Sequence, residues 1–130
     1  MPEGKIGTVV TLIALGLAMP GPALAQDETD VRTGLMIRQT LNIASALELS
    51  GAAVCILTNT QAELDVAEYF ASSKMEYSPV VFDRFSDMIE TYSNSRCDAV
   101  AGPASELEDA RISLANPGDH LVLPERLGLE

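Results

Sequence analysis

Residues Ala52 to Thr58 (AAVCILT) form a nearly continuous apolar run that stops at Thr58-Asn59-Thr60 and passes into a segment with helical spacing. A strand that alternates apolar and polar residues has one wet face. A run of this kind has none, and it requires cover on both sides, as a parallel sheet between helices provides. Thr60-Gln61-Ala62-Glu63 then reads as a capping box, and Leu64, Ala67, Phe70 and Ala71 recur behind it as the expected buried stripe of a helix. One strand–turn–helix unit therefore confines the chain to α/β architectures.

The rest of the chain repeats the unit. Gly34 to Arg38 is the first predicted strand, and Ser45-Ala46-Leu47-Glu48 is a capping box for a single helical turn ended by Gly51. Pro79 to Phe82 (PVVF) is a short strand, and Phe85, Met88, Ile89 and Tyr92 follow the i, i+3, i+4, i+7 pattern of a helix. Asp98 to Ala101 is the next strand. Ser105-Glu106-Leu107-Glu108 predicts the cap of a further helix, which carries Leu107, Ala110, the stem of Arg111 and Leu114 inward until Asn116-Pro117-Gly118-Asp119 stops it. His120 to Leu123 makes a last strand. This alternation predicts a three-layer α/β domain with a mostly parallel sheet. Ligands of such sheets sit at the carboxyl ends of strands, which here are Thr58 to Gln61 and Ala101 to Ser105.

The N-terminal segment has a different character. Ile6 to Met19 is apolar and uncharged, Pro20-Gly21-Pro22 breaks it, and Ala23-Leu24-Ala25 offers a small-x-small cleavage site. These features predict a secretory signal peptide over residues 1–25, too short in its apolar core to span a membrane. Cleavage leaves no membrane insertion, a polar flexible arm over residues 26–33, and a single domain over residues 34–130. Because Glu3 and Lys5 cancel, the exported chain keeps the full formal charge of −11. That charge excludes nucleic acid and anionic membrane surfaces as partners, since both need clustered Lys and Arg.

Export would place the two cysteines, Cys55 and Cys97, in an oxidising compartment, where a disulfide is the default and two buried thiols are the alternative. They do not form a Cys-x-x-Cys pair. With one histidine in the chain they make a poor zinc site, so no metal and no cofactor is expected.

Thr58, Asn59, Thr60 and Gln61 are the candidate ligand-binding residues. They stand where a buried strand meets a helix N-terminus, whose free N–H groups and positive dipole end attract a carboxylate or phosphate. The bland reading is a helix that caps itself, with Glu63 reaching back to the Thr60 amide. The Gly spacing and the Lys of a phosphate-binding loop are both missing. Asp98 reads as a solvated or capping carboxylate, and Glu106, Glu108 and Asp109 as first-turn acids that favour the helix dipole. His120 has no Ser or Cys partner at recognisable spacing and reads as structural or exposed. No catalytic residue and no enzyme is expected.

Several of these segments carry a resemblance. SALELSGAAVC at Ser45, TNTQAEL at Thr58, the Tyr69-Phe70 pair, PVVF at Pro79, RCD at Arg96 and NPGDHLVLPE at Asn116 together resemble the second lobe of the periplasmic general L-amino-acid-binding proteins of ABC transporters, solute-binding protein family 3. The likeness runs from about Gly34 to Glu125. It implies a single lobe of a type II periplasmic binding protein-like fold, a periplasmic location, and a disulfide between Cys55 and Cys97. It also implies that the turn at Thr58-Asn59-Thr60, usually Thr-Gly-Thr in the family, presents amides and a hydroxyl to the α-carboxylate of an amino acid. Asn59 suits the glycine's place because Asn enters left-handed backbone conformations more readily than most residues.

Three departures from the family pattern bear on function. Ala101-Gly102-Pro103 stands where the family has a Thr-Thr-Asp stretch whose Asp holds the α-ammonium. Only residues 26–33 precede the lobe after the leader, so the family's first lobe and its carboxylate-clamping Arg have no counterpart here. The chain also ends at Glu130, ahead of the family's returning strand. These departures predict weak or lost amino-acid binding and a partner that completes the cleft: a separate first-lobe protein, a transporter permease or a second copy of the chain. The alternative is a small secreted interaction or vestigial protein with no solute ligand.

Overall fold

The computed structural model describes residues 30–128. The expected signal peptide and residues 26–29 of the expected arm lie outside the described residues.

Five strands, β1 (Thr33–Arg38), β2 (Ala52–Leu57), β3 (Tyr77–Phe82), β4 (Ala99–Pro103) and β5 (His120–Val122), form one sheet in the order β3-β2-β4-β1-β5. β2 runs parallel to both β3 and β4, whereas β1 is antiparallel to β4 and β5. Four strands thus point one way and β1 alone opposes them, so the α/β fold expected from the sequence is built on a mixed sheet, with two parallel and two antiparallel pairings. Between the strands lie helices α1 (Gln61–Ser72), α2 (Phe85–Ser93) and α3 (Ala104–Ser113).

Strand alternation divides the core into two layers. Leu35, Ile37, Val54, Ile56, Ala99 and Ala101 face one side and pack with Ala62, Val66 and Phe70 of α1. Met36, Cys55 and Val100 face the other and meet Met88 and Tyr92 of α2 and Leu107 of α3. Val54, Cys55 and Ile56 are all fully buried, so β2 has the two covered faces that its apolar run requires. Cys55, at the centre of β2, is joined to Cys97, just ahead of β4, by a disulfide within the second layer. Pro79 occupies the edge strand β3, where a residue without an N–H costs the ladder least.

Three expectations need correction. The buried stripe of α1 is Ala62, Asp65, Val66 and Phe70 rather than Leu64, Ala67, Phe70 and Ala71, and Leu64 is 64% exposed. The cap at Thr60 turns Ala62 and Val66 toward the sheet, and Leu64 lies too far round the helix to follow them. Second, α3 begins one residue before the Ser105 box, with Pro103 at its N-cap and no side-chain cap. Its first amides are instead satisfied by backbone carbonyls, Ala104 N donating to Arg32 O and Ser105 N to Asp30 O, both at 2.8 Å. Third, the arm does not extend to Thr33. Thr33 is the first residue of β1 and is buried, and Asp30 pairs with Arg32 at 3.0 Å and with Arg126 at 2.8 Å. Those two guanidinium groups, Arg32 foremost, hold the Asp30 carboxyl well below the usual carboxylate range.

Candidate functional site

The end of β2 and the start of α1 are shaped by local hydrogen bonding. Thr58 N donates to Phe82 O at 2.9 Å, continuing the ladder with β3 one residue past the strand. Asn59 then takes a left-handed conformation with φ of 61°, the geometry that the resemblance assigned to this position. Thr60 is the N-cap: its Oγ1 accepts from Glu63 N at 3.4 Å and donates to Leu57 O at 2.7 Å. Glu63 reaches back, but to the Asn59 amide at 2.9 Å rather than to that of Thr60. The amides of Thr60, Gln61 and Ala62 have no acceptor among the described residues, as the first turn of a helix leaves them.

Those amides stand beside a cavity of about 230 Å³ lined by Thr60, Gln61 and Ala62 of α1, Leu57 of β2, Val31 and Thr33 ahead of and in β1, Phe85 of α2, Ala101, Gly102 and Pro103 of β4, and Glu106 of α3. The cavity joins the two strand ends that the alternation pattern singled out. Among the four candidate residues, Thr60 and Gln61 line it and Thr58 and Asn59 do not. The Thr58 and Asn59 amides are both taken by neighbours, one by Phe82 and the other by Glu63.

Sequence reasoning missed Thr33, Phe85 and Glu106 as lining residues, and it missed Asp65 behind them. Asp65 is only 6% exposed and accepts from Thr33 Oγ1 at 2.7 Å and from Gln61 Nε2 at 2.8 Å. A carboxylate four residues after Gln61, on the same helix face, was the available sign. Glu106, read only as a first-turn acid, is the one carboxylate among the lining residues.

The other polar candidates take structural places. Asp98 Oδ2 accepts from Ala53 N at 2.9 Å, while Asp98 N donates to Ala53 O at 2.8 Å, so the side chain caps the start of the β2–β4 pairing. His120 Nδ1 lies 2.8 Å from the Tyr92 hydroxyl, and the Arg38 guanidinium stands 5.4 Å from the Tyr92 ring centre. Burial lowers the His120 pKa and raises that of Tyr92. Among the described residues no three His, Cys, Asp or Glu side chains converge as a metal site, and no helix is long and apolar enough to cross a membrane.

No protein-family profile matches the chain. Individual proteins do. Over 97 residues it is 42% identical to the general L-amino acid-binding periplasmic protein AapJ of Rhizobium johnstonii and 41% identical to the putative amino-acid ABC transporter-binding protein YhdW of Escherichia coli. Each match takes in 75% of this chain but only 28% of the relative, so the chain spans little more than a quarter of the length of the curated relatives it matches. Among solved structures, a periplasmic binding protein of an ABC transporter from Brucella ovis, with glutathione bound, superposes with a TM-score of 0.73 at 43% identity, over 75% of this chain and 31% of that one. The second substrate-binding domain of a putative amino-acid ABC transporter from Streptococcus pneumoniae, at 23% identity and a TM-score of 0.62, shares the fold over 76% of this chain and 42% of its own. By sequence and by fold, three quarters of the chain is similar to a part of periplasmic amino-acid-binding proteins of ABC transporters, and the described residues have the α/β fold of a single lobe of such proteins.

Proposed function

We propose that this chain is an exported, periplasmic, non-catalytic lobe of the amino-acid receptor type, carrying half of a site for the α-amino-acid head group. The observation that carries the reading is the position of the cavity. It opens at the carboxyl ends of the adjacent parallel strands β2 and β4, with unpaired first-turn amides of α1 on one wall and the Glu106 carboxylate on another. Donors at one wall and a negative charge at another suit a zwitterion, its carboxylate toward Gln61 and Ala62 and its ammonium toward Glu106. The names of the relatives support this class of ligand. L-Amino acids and glutathione share an α-amino-acid head group, and all the relatives named are binding proteins.

Affinity of the chain by itself is expected to be low. Thr58 and Asn59 have no amide to offer, and Pro103, at the end of β4, stands where the resemblance implies an ammonium partner. Each lost charge-assisted hydrogen bond costs about 1.5–3 kcal/mol, so losing two would take a micromolar site, at about −8 kcal/mol, to about −5 to −2 kcal/mol, a range that includes millimolar affinity. Stronger binding would need a covering surface from a first-lobe protein, a permease or a second copy. Calorimetric titration of the full chain with a panel of L-amino acids and glutathione tests the reading: weak or undetectable heat is expected, and a micromolar constant overturns the half-site. Amide shifts of residues 60–62 and 102–106 at high amino-acid concentration locate the ligand, and shifts elsewhere refute the site.

A second reading, a secreted interaction protein with no solute, is favoured by the internal use of the Asn59 amide and the Thr60 hydroxyl. It predicts no amide shift with any amino acid.

A further inference from the structure

We propose that Asp65 is a positioning residue through which both ends of the lobe set the orientation of Gln61 at the cavity wall. Its carboxylate lies on the buried face of α1 and divides its two oxygens between two elements. Oδ2 takes the Thr33 hydroxyl at the start of β1, and Oδ1 takes the Gln61 side-chain amide in the first turn of α1. Thr33 and Gln61 both line the cavity.

The far end of the lobe converges on the same carboxylate. Leu127 N donates to Thr33 O at 2.8 Å and bridges Thr33 in antiparallel register, while Arg126 Nε donates to Asp30 Oδ2 at 2.8 Å. The incoming and outgoing segments therefore run side by side. Gly128 follows with φ of 77°, and a Cβ there would stand 2.5 Å from the Asp65 carboxylate, so the outgoing backbone lies directly against it. Displacement of either segment moves a contact of Asp65, and Asp65 in turn holds Gln61. The ligand consequence alone rests on the amino-acid half-site proposed above.

The test reads Gln61 without a ligand. In the ¹⁵N-labelled full chain, Thr33→Val removes one donor while keeping side-chain shape, and Gly128→Ala crowds the carboxylate. Each is expected to move the Gln61 side-chain amide resonance, although neither substituted residue bonds to Gln61. In an Asp65→Asn background the same two changes should leave that resonance where it is. Equal movement in both backgrounds, or none in the native one, overturns the proposal; the native-background result decides it even if Asp65→Asn does not fold. Titration with L-glutamate then separates the two readings. With the coupling intact, Thr33→Val should weaken the apparent affinity about tenfold, and unchanged affinity overturns the ligand consequence. A native chain giving no glutamate shift refutes the half-site, while the Gln61 resonance still decides the role of Asp65.

Discussion

Glu63 Oε1 accepts the Asn59 amide at 2.9 Å, one residue upstream of the amide that a regular capping box would use. The turn is thus closed at Thr58 by Phe82 of β3 and at Asn59 by its own helix, and it is open only from Thr60 onward. Glu63→Ala should lower stability by about 1 kcal/mol, since it removes a cap contact and a charge near a helix N-terminus. Urea denaturation measures that loss. The same variant releases the Asn59 amide, so affinity for an α-carboxylate should hold or rise, and a fall would show that Glu63 itself assists the ligand.

Asn59 holds its left-handed conformation, with φ of 61°, at the turn between β2 and α1. Asn59→Gly should be close to neutral in stability, whereas Asn59→Ala should cost about 1–2 kcal/mol, because an ordinary L side chain crowds the following carbonyl in this region. Thermal melts of the two variants compare them directly. Equal stability of the Ala and native chains would place the strain elsewhere.

The Cys55–Cys97 disulfide closes a segment with a sequence separation of 42 inside the second core layer. Its loss should cost about 4 kcal/mol by the chain-entropy account, a large share of the roughly 5–15 kcal/mol available to a domain. A Cys55→Ser, Cys97→Ser chain should show a much lower urea midpoint than the oxidised one. As both sulfurs are buried, small reductants should cut the bond only as fast as the domain opens. Rapid reduction under native conditions would contradict that burial.

How much was legible in the sequence differs between elements for physical reasons. β2 was readable because burial on both faces writes an uninterrupted apolar run, and α2 because Phe85, Met88, Ile89 and Tyr92 keep strict helical spacing. The inward face of α1 was not, because it includes Asp65, a carboxylate made tolerable by a hydroxyl 32 positions away. The start of α3 was misplaced for a similar reason: its first amides are capped by carbonyls of Asp30 and Arg32, which no local pattern announces. The cavity follows the same division. Thr60 and Gln61 came from strand-end logic, whereas Thr33, Phe85 and Glu106 reach it only through the fold.

His120, the one histidine of the chain, links β5 to α2 through the Tyr92 hydroxyl at 2.8 Å. Burial lowers its pKa, Asp119 opposes that shift, and Arg38 and Arg111 add to it. The native state therefore favours the neutral ring, while the unfolded chain binds a proton at about pH 6.5. Stability linked to this group is fully present above that value and is lost as pH falls through the lower native pKa, because the unfolded state binds more protons in between. The urea midpoint should accordingly decrease from pH 7.0 to 5.5, a window above the range where ordinary carboxylates titrate. His120→Gln should flatten the slope, since no other side chain of the ordinary set titrates there. A native midpoint that stays level on acidification would mean that folding does not shift the ring's pKa, and one that rises would mean that the folded protein holds the proton more tightly, with Asp119 rather than burial governing it.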